Sequence, residues 1–236
     1  MEAAHVTAED VSTETGVHEK TVRRWIAASA TPHPRHRFAV ADLVGVPSHV
    51  LWPRADTPPT GTDATDEIVA AWTHRARVPI ERWSTLLDRG RRRIDLLGYA
   101  ILFLPEQHPN LAELLAGKAE RGCAVRIALA DPDSDQVADR DREEQLSGDM
   151  PSRIRTTLKH LRELRGCDGV EIRFHSAPMY NSVFRFDEDM LVTPHLYGLP
   201  GYRAPSLHLR RLNQEGLFDA FAAHFERLWA TTTEAH

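Results

Sequence analysis

Cysteine is scarce in this chain of 236 residues: Cys123 and Cys167 are the only two, too few for a disulfide framework, so the fold must rest on packed apolar side chains. No apolar run reaches the length needed to cross a bilayer, and no N-terminal stretch has the order of a secretory signal. A cytoplasmic protein without a membrane partner is expected. Charge of one sign is not in excess either, because 29 Lys and Arg stand against 34 Asp and Glu for a net charge of −5. A polybasic nucleic-acid binder is excluded, and any contact with phosphates must come from a local patch. The 13 histidines are scattered, with no Cys-x2-Cys pair and no His-Glu-x-x-His helix. Neither a metal nor a cofactor is expected.

What the chain does have is a polar hairpin. From Met179 to Gly198, Val183, Phe184 and Phe186 form a β-favouring run, Asp187-Glu188-Asp189 a turn, and Met190-Leu191-Val192 a second strand stopped by Pro194. Tyr180, Asn181, Ser182 and Arg185 lead in, and His195 and Tyr197 follow. Polar groups on half-buried strands need partners, so either a closed hydrogen-bond network or a ligand pocket is implied.

The length leaves room for a small domain joined to a medium one. In the first, Thr7 is an N-cap with Asp10 completing a capping-box-like pair, and Val11 gives an apolar contact. Ser12 permits a close helix crossing, Gly16 a sharp turn, and Val17, Val22 and Trp25 or Ile26 supply the core face of a second helix. Residues 38–45 read as a further helix ending in a Gly cap, and residues 47–51 as a last short one. Residues 54–67 are rich in Pro, Thr and Asp, with Asp56, Asp63, Asp66 and Glu67 keeping them solvated: a linker.

Beyond it the pattern is α/β. Strands are expected at 68–72, at 94–104 as one buried apolar run broken by Pro105, at 123–130, 170–174 and 206–211. Helices are expected from Pro79, at 111–121, 136–146, 151–164 and 217–230. Strand, helix 111–121 and strand 123–130 make a βαβ unit, hence a parallel sheet, and Asp131 lies where open α/β sheets place ligand loops.

The Gly-Val-x-x-x-Thr-Val-x-x-Trp stretch from Gly16 to Trp25 resembles the helix-turn-helix of bacterial Cro/repressor-like regulators. That family has a full helix before this pair, and only Met1 to Val6 precede it here, so the first helix is expected to be truncated. Residues 68–231 resemble one half of the phospholipase D/nuclease fold, most specifically in Leu102-Phe-Leu-Pro-Glu-Gln-His-Pro109 and Tyr180-Asn-Ser. Together the parts look like actinobacterial Cro/repressor-like regulators with a degenerate phospholipase D-like domain. The architecture implied is α followed by α/β: an all-α helix-turn-helix domain (1–53), the linker (54–67), and a phospholipase D/nuclease-like α/β domain (68–236) with a mixed, mostly parallel sheet.

The phospholipase D family works through His-x-Lys-x4-Asp, in which His attacks phosphorus and Lys holds the phosphate oxygens. The aligned positions here are Tyr180, Ser182 and Asp187, so nucleophile and clamp are replaced and no catalytic residue is assigned. His208-Leu-Arg210 followed by Glu215 is a permissive variant outside the hairpin, although alternation sets His208 and Arg210 on one face and Leu207 and Leu209 on the other. The resemblance thus implies a DNA-binding transcriptional regulator with a non-catalytic sensor and dimerisation domain, acting as a homodimer on double-stranded DNA. His18, Glu19, Lys20, Thr21, Arg23, Arg24, Arg35 and Arg37 would contact the duplex. Tyr99, Asp131, Tyr180, Asn181, Ser182, Arg185, His195, Tyr197, His208 and Arg210 would line a pocket for a small polar or anionic ligand. The alternatives are a phosphodiesterase or nuclease targeted by the helix-turn-helix, and a protein-interaction module.

Overall fold

The computed structural model describes residues 6–27, 30, 32–46, 48–52, 67–212 and 215–235. The chain divides into two compact units, Met1–Ala64 and Thr65–His236.

In the first unit, α1 (Ala8–Thr15) opens on a complete capping box: the Thr7 hydroxyl accepts from the Asp10 amide and the Asp10 carboxylate accepts from the Thr7 amide. Gly16 ends it at φ 65°, a left-handed conformation that a side chain would strain, and so turns the chain into α2 (Glu19–Ile26). α3 (Pro34–Val44) begins four residues earlier than the expected start, with Pro at its first position, and α4 (Ser48–Leu51) follows. Val11, Val22, Trp25, Val40 and Val44 bury their side chains in one cluster, each stabilising the unit by roughly 1.5–3 kcal/mol.

The second unit is a single eight-stranded sheet. Its strands are β1 (Ile68–Trp72), β2 (Arg93–Gly98), β3 (Ala124–Ala130), β4 (Val170–His175), β5 (Asn181–Phe186), β6 (Asp189–Pro194), β7 (Ser206–Arg210) and β8 (Thr233–Glu234). The order across the sheet is β1-β7-β6-β5-β2-β3-β4-β8. Only β2 with β3 and β3 with β4 run parallel among the seven neighbouring pairs. The expectation of a mostly parallel sheet is therefore corrected. The βαβ unit is present, but β5, β6 and β7 add one antiparallel strand after another through connections that carry no crossover helix, and β1 pairs antiparallel with β7 at the edge.

Alternation along the strands covers both faces. Ile94 and Leu96 of β2, Val125, Ile127 and Leu129 of β3, and Phe184 and Leu191 of the hairpin face a layer formed by α5 (Ile80–Arg89), α6 (Phe103–Gln107), α7 (Leu111–Ala119), α8 (Asp135–Glu143) and α9 (Asp149–His160). Leu97, Val183, Met190, Val192 and Leu209 face α10 (Leu217–Trp229) through Phe218, Phe225 and Leu228. Beneath α10 the buried Asp95 carboxylate accepts from Arg126 Nε at 2.7 Å, and Arg126 also pairs with Glu226 at 2.7 Å. A charge so placed is stable only while paired.

Two further expectations are corrected. The run 94–104 is not one strand: β2 stops at Gly98, where a Cβ would lie 2.4 Å from Ile101 Cγ2, and the chain folds back through Ile101 at φ 48° into α6, which contains Pro105. The apolar residues after Gly98 are buried as loop and helix. Glu67, read as solvated linker, is buried and accepts from the Leu212 and Phe218 amides at 3.3 and 2.8 Å, where Gly216 leaves the space for it. Its charge caps the start of α10. The rest of the expected linker, residues 54–66, and Met1 to His5 lie outside the described residues.

Candidate functional site

At the ends of β2, β5 and β6 the turn after Gly98 opens a cavity of about 530 Å3. Tyr99 stands at the turn, Ser182 near the start of β5 and His195 just past β6. The Ser182 hydroxyl lies 3.0 Å from His195 Nε2, and the imidazole stacks on Tyr99 with ring centres 5.6 Å apart. His175, at the end of β4, meets Tyr99 edge-on with ring centres 6.2 Å apart. Arg75 enters from the turn after β1, its backbone fixed by N–H donation to the Ala204 carbonyl at 2.7 Å, and its guanidinium lies 3.9 Å over the Phe103 ring. Glu144, Asp149, Met150 and Arg153 form the helical wall, and Tyr202 stands at the rim.

The electrostatics favour neutral imidazoles. Burial pushes His195 down to about 3, with the Arg140 charge adding to the effect, and burial alone holds His175 at about 4 against backbone groups at Gly98 and Ala177. Burial raises the Tyr99 phenol and lowers Arg75 to about 10, where Glu144 opposes the shift. Arg140, buried behind Tyr99, is held by Glu143 and Glu144 at 2.7 and 2.6 Å and donates to the Leu199 carbonyl at 3.0 Å. The cavity thus offers the Arg75 guanidinium, the Arg153 guanidinium paired with Asp149, the carboxylates of Glu106 and Glu144, hydroxyls and uncharged ring nitrogens.

The structure brings Tyr99, Ser182 and His195 together there and separates the other residues of the expected pocket. Tyr180 is 70% exposed and Tyr197 94% exposed. Asp131, past the end of β3, accepts from the Asp133 amide. Asn181 is buried at the start of β5 opposite Pro194. Arg185 points to the other face, over the Phe218 ring and 3.9 Å from Asp95. His208 and Arg210 both donate to Asp189, at 2.8 and 3.0 Å, so this polar face is an ion pair across strands at the far end of the sheet. The three positions aligned with the phospholipase D motif do not share a site: Tyr180 is exposed, Ser182 faces His195, and Asp187 accepts from the amides of Arg91, Arg92 and Arg93 at 2.9, 2.9 and 2.8 Å. Arg75, His175 and Glu144 were missed by sequence reasoning. Arg140 with Glu143 and Glu144 has the i,i+3 and i,i+4 spacing of a helix ion pair, which was the one readable signal.

In the first unit, His18 caps α2, its Nδ1 accepting from the Lys20 amide at 3.1 Å. Lys20, Arg23 and Arg24 are exposed, Glu19 and Thr21 partly so, and Glu19 pairs with Arg23 at 2.6 Å. Arg37 is half-buried on α3, and the Arg35 side chain lies outside the described residues.

Fold and site together define an α/β domain on one mixed sheet, with a polar cavity at the strand ends, following a small helical unit. The chain belongs to the family described as "Domain of unknown function (DUF5919)", which matches residues 65–235. Among solved structures it is similar to TrmBL2, an archaeal chromatin protein whose structure is described as showing a novel mode of DNA binding, with 14% identity, a TM-score of 0.43 and coverage of 70% of this chain and 55% of that one. This chain thus spans little more than half the length of that relative. It is also similar to Nuc from Salmonella typhimurium, a phospholipase D family member, with 14% identity, a TM-score of 0.41 and coverage of 66% and 90%. No curated protein matches the chain in sequence. No helix among the described residues is long and apolar enough to cross a membrane.

Proposed function

We propose that this protein is a DNA-binding transcriptional regulator in which α1 and α2 form a helix-turn-helix and the second unit is a non-catalytic, phospholipase D-like sensor and dimerisation domain. The observation that carries it is the division of α2. Val22 and Trp25 are committed to the core, while His18, Lys20, Arg23 and Arg24 stand outward near the start of the helix and along its flank. A helix held by one side and cationic on the other is what insertion into a major groove requires. The dispersal of Tyr180, Ser182 and Asp187 supports the non-catalytic reading, since phosphodiester cleavage needs nucleophile and charge clamp in one place. The cavity at Tyr99 and His195 is the ligand site, and a bound small polar or anionic ligand changes DNA affinity by favouring one arrangement of a homodimer.

Gel shifts test the reading. Arg23→Ala and Arg24→Ala each weaken duplex binding by about 1–3 kcal/mol, and light scattering of the full chain gives twice the monomer mass. If both variants bind with unchanged affinity and salt slope, α2 is not the reader and the proposal fails.

A further inference from the structure

The Arg75 guanidinium is aimed into the cavity without a hydrogen bond or ion pair to any described residue. It rests on the Phe103 ring at 3.9 Å, and its backbone is anchored at Ala204, so its position is set before anything binds. The neighbouring cations are already committed: Arg153 to Asp149 at 2.6 Å, and Arg140 to Glu143 and Glu144. Arg75 is half-buried, and a guanidinium partly withdrawn from water and lacking a protein acceptor is stabilised by an anion that supplies one.

The charge of that anion follows from the rest of the wall. Glu106 and Glu144 line the same cavity as the single uncommitted guanidinium. Glu144 is already paired with Arg140, but a phosphate monoester, close to a dianion at neutral pH, would gain one favourable partner and meet the Glu106 carboxylate, which pairs with no described residue. A carboxylate carries one charge, and its two oxygens match the planar fork of a guanidinium. Ile101, Leu102, Met150 and the rings of Tyr99, Phe103 and Tyr202 provide apolar wall for the remainder. The volume of about 530 Å3 falls within the roughly 300–1,000 Å3 of small-molecule sites.

We propose that the cavity binds a small monocarboxylate with an apolar, ring-sized body, its carboxylate held by Arg75. The proposal rests on reading the second unit as a ligand sensor and names the ligand class that sensor takes.

The test is calorimetric titration and thermal unfolding of the full chain with benzoate and indole-3-acetate, against their amides and phenyl phosphate. The two acids bind and raise the unfolding temperature, while the amides and phenyl phosphate do not. Arg75→Gln weakens the acids by at least about tenfold, the loss expected for a charge-assisted hydrogen bond, and Arg75→Lys, which keeps the charge without the fork, lies between. Should Arg75→Gln fail to fold, Glu106→Gln at the rim reports instead: with one repelling charge gone, it tightens the acids and admits phenyl phosphate. Amides that bind as well as the acids, or phenyl phosphate that binds the unaltered chain more tightly than they do, overturn the carboxylate assignment and leave the sensor reading standing. If neither these probes nor nucleotides and phosphorylated metabolites bind, both fall.

Discussion

The Ser182 hydroxyl and His195 Nε2 lie 3.0 Å apart, a spacing at which an imidazole could accept a proton from a nucleophile. Two features argue against that use. Burial has taken the imidazole down to about 3, so it is a weak base, and among the described residues its Nδ1 has no carboxylate to orient it. The pair is expected to order the cavity wall without turning over substrate. The full chain should hydrolyse bis(p-nitrophenyl) phosphate no faster than buffer, and His195→Ala should leave that rate unchanged. Measurable turnover that disappears in His195→Ala would restore the phosphodiesterase alternative.

His175 and His195 also set a pH dependence of stability. Each titrates near the ordinary 6.5 when unfolded but at about 4 and about 3 when folded. Between those values the unfolded chain holds more protons, so stability is complete above about pH 6.5 and falls as pH falls toward the folded values. Each histidine contributes on the order of 1 kcal/mol per pH unit. The interval from pH 6.5 to 5 excludes the carboxylates, because Asp187, Asp189 and Glu226 are held below their ordinary values and act at lower pH, while His108 and His224, also lowered by burial, add to the loss with the same sign. Urea unfolding at pH 7 and pH 5 should show the loss, and His175→Gln should flatten it. Equal midpoints at both pH values would mean the rings are solvated.

Local signals in the sequence carried well and register did not. The Thr7–Asp10 box, the turn at Gly16 and the hairpin with its Asp187-Glu188 turn depend on residues a few positions apart, and such patterns can be read directly. An unbroken apolar run from Ile94 to Leu104 fits a strand, a loop and a helix equally, so the turn after Gly98, on which the cavity depends, was hidden. His208 and Arg210 looked like site residues because Asp189, their partner, sits across a strand pairing that sequence alone leaves open. Arg75 stands more than a hundred residues from Ser182 and His195 and has no local pattern to mark it.

The sequence resemblance sets Asp187 against the phospholipase D motif aspartate, yet its carboxylate holds three amides at the start of β2 and its backbone adopts φ 54°. Replacing it by Ala removes both acceptor oxygens and so all three hydrogen bonds, and puts a residue that disfavours left-handed φ in the turn. Asp187→Ala should cost about 2–3 kcal/mol, and Asp187→Asn less, because Asn tolerates the conformation and keeps one acceptor. Denaturant titration measures both. The variants should bind cavity ligands as the unaltered chain does once folded; a binding defect without a stability defect would instead place Asp187 in the functional site.

On α2 the Glu19 carboxylate accepts from Arg23 at 2.6 Å and 3.1 Å, with Arg23 largely and Glu19 partly open to water. An exposed pair at this helical spacing is worth only about 0.3–0.5 kcal/mol, less than a phosphate contact, so DNA can draw Arg23 away. Glu19 nevertheless stands in the first turn of the proposed recognition helix, where its charge faces the phosphates and opposes binding. Glu19→Gln should therefore tighten non-specific duplex binding by about two- to fivefold while lowering stability by a few tenths of a kcal/mol through loss of the pair and of a favourable charge at a helix start. Fluorescence anisotropy with an arbitrary duplex across a salt series reads both the affinity and its slope. A variant that binds more weakly, and only to selected sequences, would make Glu19 a base reader, for instance of a cytosine amino group. No change in affinity or slope would mean that this side of α2 never meets the duplex, and the assignment of α2 as the reading helix would be lost.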